Sequence, residues 1–311
     1  MTIKLSIVAT LYQSANYIDQ FYKRATVVAQ QFAADNYEII FVNDGSPDSS
    51  LDLAIDISRH DNHVIVIDLS RNFGHHNAMK IGLENTKGEY VFLIDSDLEE
   101  EPEWLLPFSA QMKVEQADVI YGVQEKRKGG WFERYSGVLY YKILNWLLSI
   151  KHPKNITTAR LMTRRYVDAL MNYREIETII SCLWVITGFK QCPMPVKKTC
   201  KKQSTYGIFK KFSYFVNTIT SFSAAPLKMI FFCGVFIFFV TMFYATYLIV
   251  GHYLMSKTVE GWTSIMVSVW MLGGMMISFI GILGIYLSKI FLEVKQRPYA
   301  IIRKIYGKTD E

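Results

Sequence analysis

The chain has 311 residues, of which 34 are basic and 28 acidic, and half of its residues are apolar. This length supports a sizeable core without disulfide bonds, and the composition excludes collagen, disordered chains and small disulfide-rich domains. The charge is uneven, because residues 1–177 carry a net −5 and residues 178–311 a net +11. Basic residues beside long apolar runs favour a membrane over nucleic acid as the partner.

The first 125 residues alternate β-rich runs with amphipathic stretches of helical spacing. The runs predict strands at Lys4–Thr10, Tyr37–Asn43, His63–Leu69, Tyr90–Ile94 and Asp118–Gly122. The stretches between them predict helices at Asn16–Ala34, Asp48–Arg59, His75–Asn85 and Glu103–Glu115, and further helices are predicted at Trp131–Ser149, Arg160–Tyr173 and Thr178–Lys190. This alternation predicts an α/β fold with a mostly parallel sheet covered by helices on both faces.

Open α/β sheets bind ligands at the carboxyl ends of their strands. The most acidic of these ends is Asp95-Ser96-Asp97, which Glu99, Glu100 and Glu101 follow. Carboxylates of this kind suit Mg²⁺ or Mn²⁺, which would bridge diphosphate oxygens. The alternative interpretation is an acidic turn that caps the next helix near Pro102.

Asp44 follows another apolar strand and precedes Gly45, which permits a tight turn. Its carboxylate could accept hydrogen bonds from a base or a ribose, or it could form an Asx-turn. No GxGxxG follows any of the predicted strands, which argues against a dinucleotide-binding domain. His75 and His76 are adjacent and lack a third ligand, so we expect them at a helix N-terminus and not on a metal.

Two uncharged runs, Met229–Val250 and Trp262–Ser288, are each long enough to span a bilayer of about 30 Å. The alternative is a buried hairpin in a soluble core, which rarely contains apolar helices of this length. Lysines and arginines flank the outer ends of both runs, so the positive-inside rule places both termini in the cytoplasm and the loop Gly251–Gly261 outside. The chain begins directly with a strand-like run, so we expect no cleavable signal.

The spacing of Tyr12, Asp44, Arg71-Asn72-Phe73-Gly74 and Asp95-Ser96-Asp97 resembles that of the family 2 glycosyltransferases, which have the GT-A fold. Within that family the chain is similar to the polyprenyl-phosphate sugar transferases, which include dolichol-phosphate mannose synthase and the bactoprenol glucosyltransferases. The similar segments extend over nearly the whole chain and include Ser70–His75, Arg160–Tyr166, Gly188–Lys190, Ser204–Tyr206 and Thr220–Leu227.

The resemblance implies roles for individual residues. It makes Asp44 a contact to the nucleotide base, Asp97 the principal ligand of Mg²⁺ or Mn²⁺, Asp95 a contact to the nucleotide or the metal, and Glu99 a further metal ligand. Arg134 and Ser136 would meet the donor diphosphate or the lipid phosphate, and Asp95, Asp97, Arg134 and Ser136 together form the predicted catalytic set. The remaining substrate-binding residues would be Tyr12, Arg71, Asn72, Gly74, Gln124 and Arg160, with Ser204 and Tyr206 in a loop that closes over the site.

The chain departs from the family pattern at four places. Glu99 stands where the family often has glutamine, Thr158 where an aspartate is common, and Gln124 where an arginine is expected. Gln13 and Ser14 replace an Asn-Glu pair after the first strand.

The resemblance implies an inverting enzyme that moves one sugar from a nucleotide sugar, with UDP as the favoured nucleotide, to undecaprenyl or another polyprenyl phosphate. One alternative adds the sugar to a lipid-linked saccharide or polysaccharide, and another is an inactive membrane scaffold. The expected location is the bacterial cytoplasmic membrane, with the catalytic domain inside the cell. Further candidate partners are a second copy of the chain and a flippase or downstream transferase, and no nucleic acid is expected.

The predicted domain organisation has four parts. A cytoplasmic GT-A domain covers residues 1–208, and an interfacial amphipathic segment covers residues 209–228. A hairpin of two transmembrane helices, at about 229–250 and 262–288, occupies residues 229–290. A basic cytoplasmic tail covers residues 291–311.

Overall fold

The computed structural model describes residues 3–124, 155–175, 179–198, 219–220, 223–255 and 261–307. The chain divides into two compact units. Unit 1 contains residues 1–142, 150–205 and 297–311, and unit 2 contains residues 143–149 and 206–296.

The described part of unit 1 is built on one mixed sheet. Its strands are β1 (Leu5–Leu11), β2 (Tyr37–Asn43), β3 (Val64–Leu69), β4 (Tyr90–Asp95), β5 (Val119–Gln124), β6 (Ile156–Thr163), β7 (Gln191–Val196) and β8 (Ile302–Tyr306). The strand order is β7-β5-β6-β4-β1-β2-β3-β8. The central strands β4, β1, β2 and β3 run parallel, β5 pairs parallel with β7, and β6 and β8 run antiparallel to their neighbours. The predicted α/β class with a mostly parallel sheet is therefore confirmed.

The described helices of unit 1 connect these strands. They are α1 (Ile18–Ala33), α2 (Ser50–His60), α3 (His75–Glu84), α4 (Leu105–Glu115), α5 (Arg164–Met171) and α6 (Ile180–Ile186), with a short 3₁₀ turn at Pro102–Trp104 before α4. The first four helices and first five strands lie within two residues of their predicted bounds.

Burial explains why the central strands were readable from the sequence. Every residue of β1 and of β2 is buried, as expected for parallel strands covered on both faces. Phe21 of α1 packs edge-on against Phe41 of β2 with ring centroids 6.0 Å apart, so this helix closes one face of the core.

The helix predicted at Arg160–Tyr173 is wrong in its first part. Residues 156–163 form β6, which pairs with both β4 and β5, and the helix begins only at Arg164. β6 leads directly into this helix with no glycine or proline between them, so the sequence pattern shows no break at the boundary. The helix predicted at Thr178–Lys190 is shorter, at Ile180–Ile186, because β7 begins at Gln191.

Besides β6, two further strands were not predicted. β7 contains Pro193 and Pro195, which lack backbone donors, and it is tolerated because it lies at one edge of the sheet. β8 lies at the other edge, within the segment expected to be a basic tail. Residues 302–306 are therefore part of the sheet of unit 1, and residues 297–311 group with that unit.

Unit 2 contains two long apolar helices, α7 (Ala225–Met255) and α8 (Trp262–Val294). Both are long and apolar enough to cross a membrane, and the predicted spans lie within them. Tyr286 of α8 donates a hydrogen bond to the carbonyl of Ser223, just before α7. The helix predicted at Trp131–Ser149 and most of the interfacial segment predicted at 209–228 lie outside the described residues.

Candidate active site

A cleft of about 120 Å³ lies at the carboxyl ends of the central strands. It is lined by Thr10, Tyr12, Asp44, Asn72, Gly74 and His75. Four of these six, Tyr12, Asp44, Asn72 and Gly74, belong to the predicted substrate-binding set. The structure therefore brings together residues from the loops after β1, β2 and β3, as the parallel strand order requires.

Asp44 links the loop after β2 to the start of α3 through two hydrogen bonds. One of its carboxylate oxygens accepts the backbone N–H of Phe73 at 2.7 Å, and the other accepts that of Gly74 at 3.0 Å. Burial raises the pKa of Asp44, although these N–H donors and nearby His75 and Arg71 oppose the rise. A carboxylate has about four acceptor sites, so Asp44 retains capacity for a ligand.

An Asx-turn was one interpretation of Asp44, and the structure forms that turn with the preceding residue, Asn43. The side-chain oxygen of Asn43 accepts the backbone N–H of Ser46 at 3.2 Å, closing the turn. Gly45 has φ +60°, and a Cβ there would lie 2.5 Å from the backbone nitrogen of Asn72. Only glycine permits this approach of the loops after β2 and β3.

Asp95 ends β4 and is held by partners from two other elements. Nε2 of His75 lies 3.2 Å from its Oδ1, and the hydroxyl of Thr158 on β6 donates to its Oδ2 at 2.8 Å. The other ring nitrogen of His75 lies 3.1 Å from the hydroxyl of Thr10. Burial alone would raise the pKa of Asp95, but the contacts with His75 and Thr158 outweigh it and lower the pKa.

The contact between Asp95 and His75 has the opposite effect on the pKa of the histidine. Burial lowers the pKa of His75, but the Asp95 carboxylate outweighs this effect and raises it. The pair therefore favours a protonated imidazole beside an ionised carboxylate at the edge of the cleft.

The acids that follow β4 differ in their environments. Asp97 accepts the backbone N–H of Glu99 at 2.9 Å, and burial, together with the charges of Asp95 and Glu99, raises its pKa. Between them Leu98 has φ +60°, a conformation that costs a non-glycine residue about 1 kcal/mol. Such local strain is characteristic of functional turns.

Glu100 is a fully buried carboxylate in the acidic loop, residues 97–101, and it connects this loop to β6. It accepts the backbone N–H groups of Thr158 at 3.0 Å and Ala159 at 2.7 Å. Burial, reinforced by Asp95, raises the pKa of Glu100 to about 7. Lys198 lies 3.5 Å from this carboxylate and 3.2 Å from that of Glu99, so one cation offsets two of the acids.

The donor set at this edge fits a divalent cation held by two carboxylates. Among the described residues no three His, Cys, Asp or Glu side chains are grouped as a protein-only metal site. Mg²⁺ commonly binds through one or two carboxylates plus water and substrate phosphate, however. Oδ1 of Asp95 is buried and, apart from its ion pair with His75, has no well-aligned hydrogen bond from the described residues, and a cation would relieve the crowded charge of Asp97. Glu99 faces Lys198 instead, so its ligand role remains a prediction.

Other predicted substrate-binding residues lie elsewhere. Arg160 is 1% exposed inside the sheet, and its guanidinium carbon stacks 2.9 Å from the centroid of the Trp184 ring. Burial lowers its pKa to about 9. Arg71 stacks on the ring of Phe73 at 4.2 Å, and Gln124 ends β5. Arg134, Ser136, Ser204 and Tyr206 lie outside the described residues.

Four contributors to the site were not among the site residues predicted from the sequence. They are His75, Glu100, Thr158 and Lys198, all of which surround Asp95 or its acidic loop. One signal was available: the resemblance implies an aspartate at position 158, and the threonine found there can donate a hydrogen bond to a nearby carboxylate. The contacts of Glu100 and Lys198 depend on β6 and β7, which the sequence pattern did not reveal.

Comparison with known proteins places the chain in one family. The profile of Glycosyl transferase family 2 matches residues 6–171. A Mycobacterium tuberculosis (strain CDC 1551 / Oshkosh) protein named as a glycosyltransferase is 46% identical over 98% of this chain and 89% of its own length. A Bacillus subtilis (strain 168) protein named as a glycosyltransferase is 32% identical over 98% and 95%, and a Shigella flexneri prophage-derived bactoprenol glucosyl transferase is 28% identical over 97% and 98%. The chain therefore belongs to glycosyltransferase family 2.

Proposed function

We propose that this glycosyltransferase moves a single sugar from a nucleotide sugar, with UDP as the expected nucleotide, to a polyprenyl phosphate at the cytoplasmic face of a bacterial membrane. The observation that carries the proposal is that two features occur in the same chain. A carboxylate pair, Asp95 and Asp97, adjoins a polar cleft at the carboxyl edge of the sheet, and two long apolar helices follow. Similarity to bactoprenol glucosyl transferases supports a polyprenyl phosphate as the acceptor.

The cleft supports the donor side of this reaction. Tyr12 is half exposed beside it, so its ring is available to stack on a nucleotide base. The remaining acceptor sites of Asp44 would receive hydrogen bonds from the base or ribose. The diphosphate would then extend toward Asp95 and Asp97 at the end of the neighbouring strand β4.

The acceptor chemistry requires little proton transfer. A sugar hydroxyl acceptor needs a general base, whereas a lipid phosphate is already ionised at neutral pH. Its direct attack on the anomeric carbon would invert that centre and release the nucleoside diphosphate. The site must therefore supply mainly positive charge and orientation.

Different residues of this chain would supply this positive charge and orientation. Asp95 and Asp97 would hold Mg²⁺ or Mn²⁺, which when bound neutralises the charge that develops on the leaving diphosphate. His75 keeps Asp95 ionised and oriented, and Lys198 limits the negative charge of the acidic loop. The two apolar helices would anchor the domain beside its lipid substrate.

The proposal is tested by incubating membranes that contain the protein with a panel of labelled nucleotide sugars and polyprenyl phosphate. We expect labelled polyprenyl-phosphate sugar from one donor, and we expect Asp97→Asn to abolish it. Asp52→Asn, which removes an exposed carboxylate on α2, is the matched control and should retain activity. Label that enters only lipid-linked saccharides would support the alternative acceptor, and no transfer from any donor would refute the proposal.

A further inference from the structure

The strand β8 contacts β3 and the start of the loop that follows β3, which is one of the loops that line the donor cleft. β8 pairs antiparallel with β3, and the backbone N–H of Ser70 donates to the carbonyl of Ile301 at 2.9 Å. Gly307 has φ +97°, and a Cβ there would lie 2.3 Å from the carbonyl oxygen of Val64. The strand is therefore fitted closely against the sheet at both of its ends.

One side chain of this strand, Arg303, makes two polar contacts with the end of β3. Its Nη1 lies 3.2 Å from Oδ2 of Asp68, and its Nη2 donates to the carbonyl of Ser70 at 2.6 Å. Asp68 is 1% exposed, whereas the arginine side chain is 58% exposed. A buried carboxylate requires such partners, because its charge is otherwise uncompensated.

Asp68 extends this contact to the loop that carries Asp44. Its Oδ1 accepts the side-chain amide of Asn43 at 2.8 Å, and the oxygen of that amide accepts the backbone N–H of Ser46 at 3.2 Å. Arg303 is thus connected through Asp68 and Asn43 to the turn around Asp44. Its second contact, at Ser70, reaches the start of the loop whose Phe73 and Gly74 amides bind Asp44.

We propose that Arg303 is a positioning residue for the donor site, and that β8 makes the end of the chain a required part of nucleotide binding. The inference rests on the proposed function, because Asp44 is taken to contact the nucleotide. Arg303 itself does not line the cleft. It acts by fixing the two loops that meet at Gly45, where their backbones approach too closely to tolerate a shift.

The test uses the full-length protein in detergent and compares Arg303→Met, Arg303→Lys and the control Lys304→Met. Lys304 is an exposed cation on the same strand that contacts Tyr306. Its backbone lies opposite Asp68 in the pairing of β8 with β3, but among the described residues the ion pair to Asp68 comes from Arg303. Lys304→Met therefore removes the same charge from the strand and leaves that ion pair in place. Binding of UDP and GDP is measured by calorimetry. We expect Arg303→Met to weaken binding of the preferred nucleotide about tenfold, or about 1.4 kcal/mol. Arg303→Lys should recover part of this loss, and Lys304→Met should remain within about twofold of wild type.

Two further readouts separate positioning from a general loss of stability. In the protein without nucleotide, Arg303→Met should accelerate amide hydrogen exchange in peptides covering residues 43–50 and 70–75, while β1 and α1 stay protected. The apparent KM for polyprenyl phosphate should not change. Asp68→Asn retains the acceptor for Asn43 and removes the ion pair, so Arg303→Met should cost less in this background than in the wild type, with the lost Ser70 contact as the remainder.

Each outcome decides a different claim. Wild-type protein that binds neither nucleotide would refute the proposed donor, and the exchange measurement would still decide whether Arg303 orders the loops. Nucleotide binding and loop exchange that are unchanged in Arg303→Met would overturn the positioning role. Losses of the same size in Lys304→Met, or fully additive losses in the double variant, would also overturn it.

Discussion

Two adjacent threonines on β6 provide a matched test of the electrostatics around Asp95. Thr158 donates its hydroxyl hydrogen to the Asp95 carboxylate at 2.8 Å, whereas Thr157 donates to the neutral carbonyl of Gly122 at 3.2 Å. Valine has the shape of threonine and lacks the hydroxyl. Thr158→Val and Thr157→Val therefore remove hydrogen bonds from the same strand that differ mainly in the charge of the acceptor.

The magnitudes follow from the two acceptors. The Asp95 side chain is 18% exposed, so solvent only partly replaces a lost donor. Hydrogen bonds to charged groups contribute about 1.5–3 kcal/mol and neutral ones about 0.5–1.5 kcal/mol. We expect Thr158→Val to cost about 2 kcal/mol and Thr157→Val about 1 kcal/mol. In a domain of this size these losses lower the unfolding midpoint by about 4–8 °C and about 2–4 °C.

A second measurement distinguishes the site from the fold. The Thr158 hydrogen bond helps to keep the pKa of Asp95 low, so its loss raises that pKa and shifts the acidic limb of the pH–rate profile to higher pH. Thr157→Val should leave the profile unchanged, and Thr158→Ser should restore it. Equal melting shifts and identical pH profiles in the two valine variants would refute this account of Asp95.

Three further predictions concern the metal, the buried acid and the membrane. Chelation should abolish sugar transfer, and Mn²⁺ or Mg²⁺ should restore it. Asp97→Asn should lower the rate by at least about 10²-fold at saturating metal. Full activity in chelated buffer would contradict the assignment of Asp97 as a metal ligand. Because burial raises the pKa of Glu100 from 4.5 to about 7, the free energy of unfolding should fall by about 3 kcal/mol as the pH rises through that window. Glu100→Gln should flatten this dependence in unfolding measured at pH 5 and pH 8, and an unchanged slope would count against it. In a background without the native cysteines, cysteine at position 256 should react with an impermeant thiol reagent in intact cells, and cysteine at position 309 only after lysis; the reverse pattern would refute the topology.

The central fold and the donor cleft were predictable because local pattern and burial agree there. β1 and β2 are mostly apolar, since parallel strands covered on both faces have no side that faces solvent. Once those strands are placed, the residues that follow them must meet at one edge. The positions of Tyr12, Asp44 and Asn72 in one cleft follow from this rule alone.

The antiparallel strands of the sheet and the partners of Asp95 were not predictable for the opposite reason. β6 and β8 join the sheet through pairing with strands distant in the sequence, and nothing local distinguishes β8 from a basic tail. The ion pair of His75 with Asp95 depends on α3 beginning beside β4. A histidine at a predicted helix N-terminus carries no sign of the strand it will face.

The lysines that precede the apolar helices separate into two kinds once β7 is placed, and only one kind is available to attract the phosphate of a lipid acceptor. Lys197 is exposed, whereas Lys198 is 20% exposed and compensates Glu99 and the buried Glu100. If basic side chains recruit the lipid phosphate, Lys197→Gln should raise the apparent KM for polyprenyl phosphate and leave that for the nucleotide sugar unchanged, since one lysine near anionic lipid contributes about 1 kcal/mol.

Lys198→Gln should behave differently, because it leaves a buried carboxylate without its cation. We expect lower thermal stability and weaker metal activation, with losses for both substrates. Steady-state kinetics that vary each substrate at saturation of the other measure the split. Equal effects of the two substitutions on both KM values would show that the lysines act together as a topology signal, and a selective lipid defect in Lys198→Gln would contradict the internal ion pair.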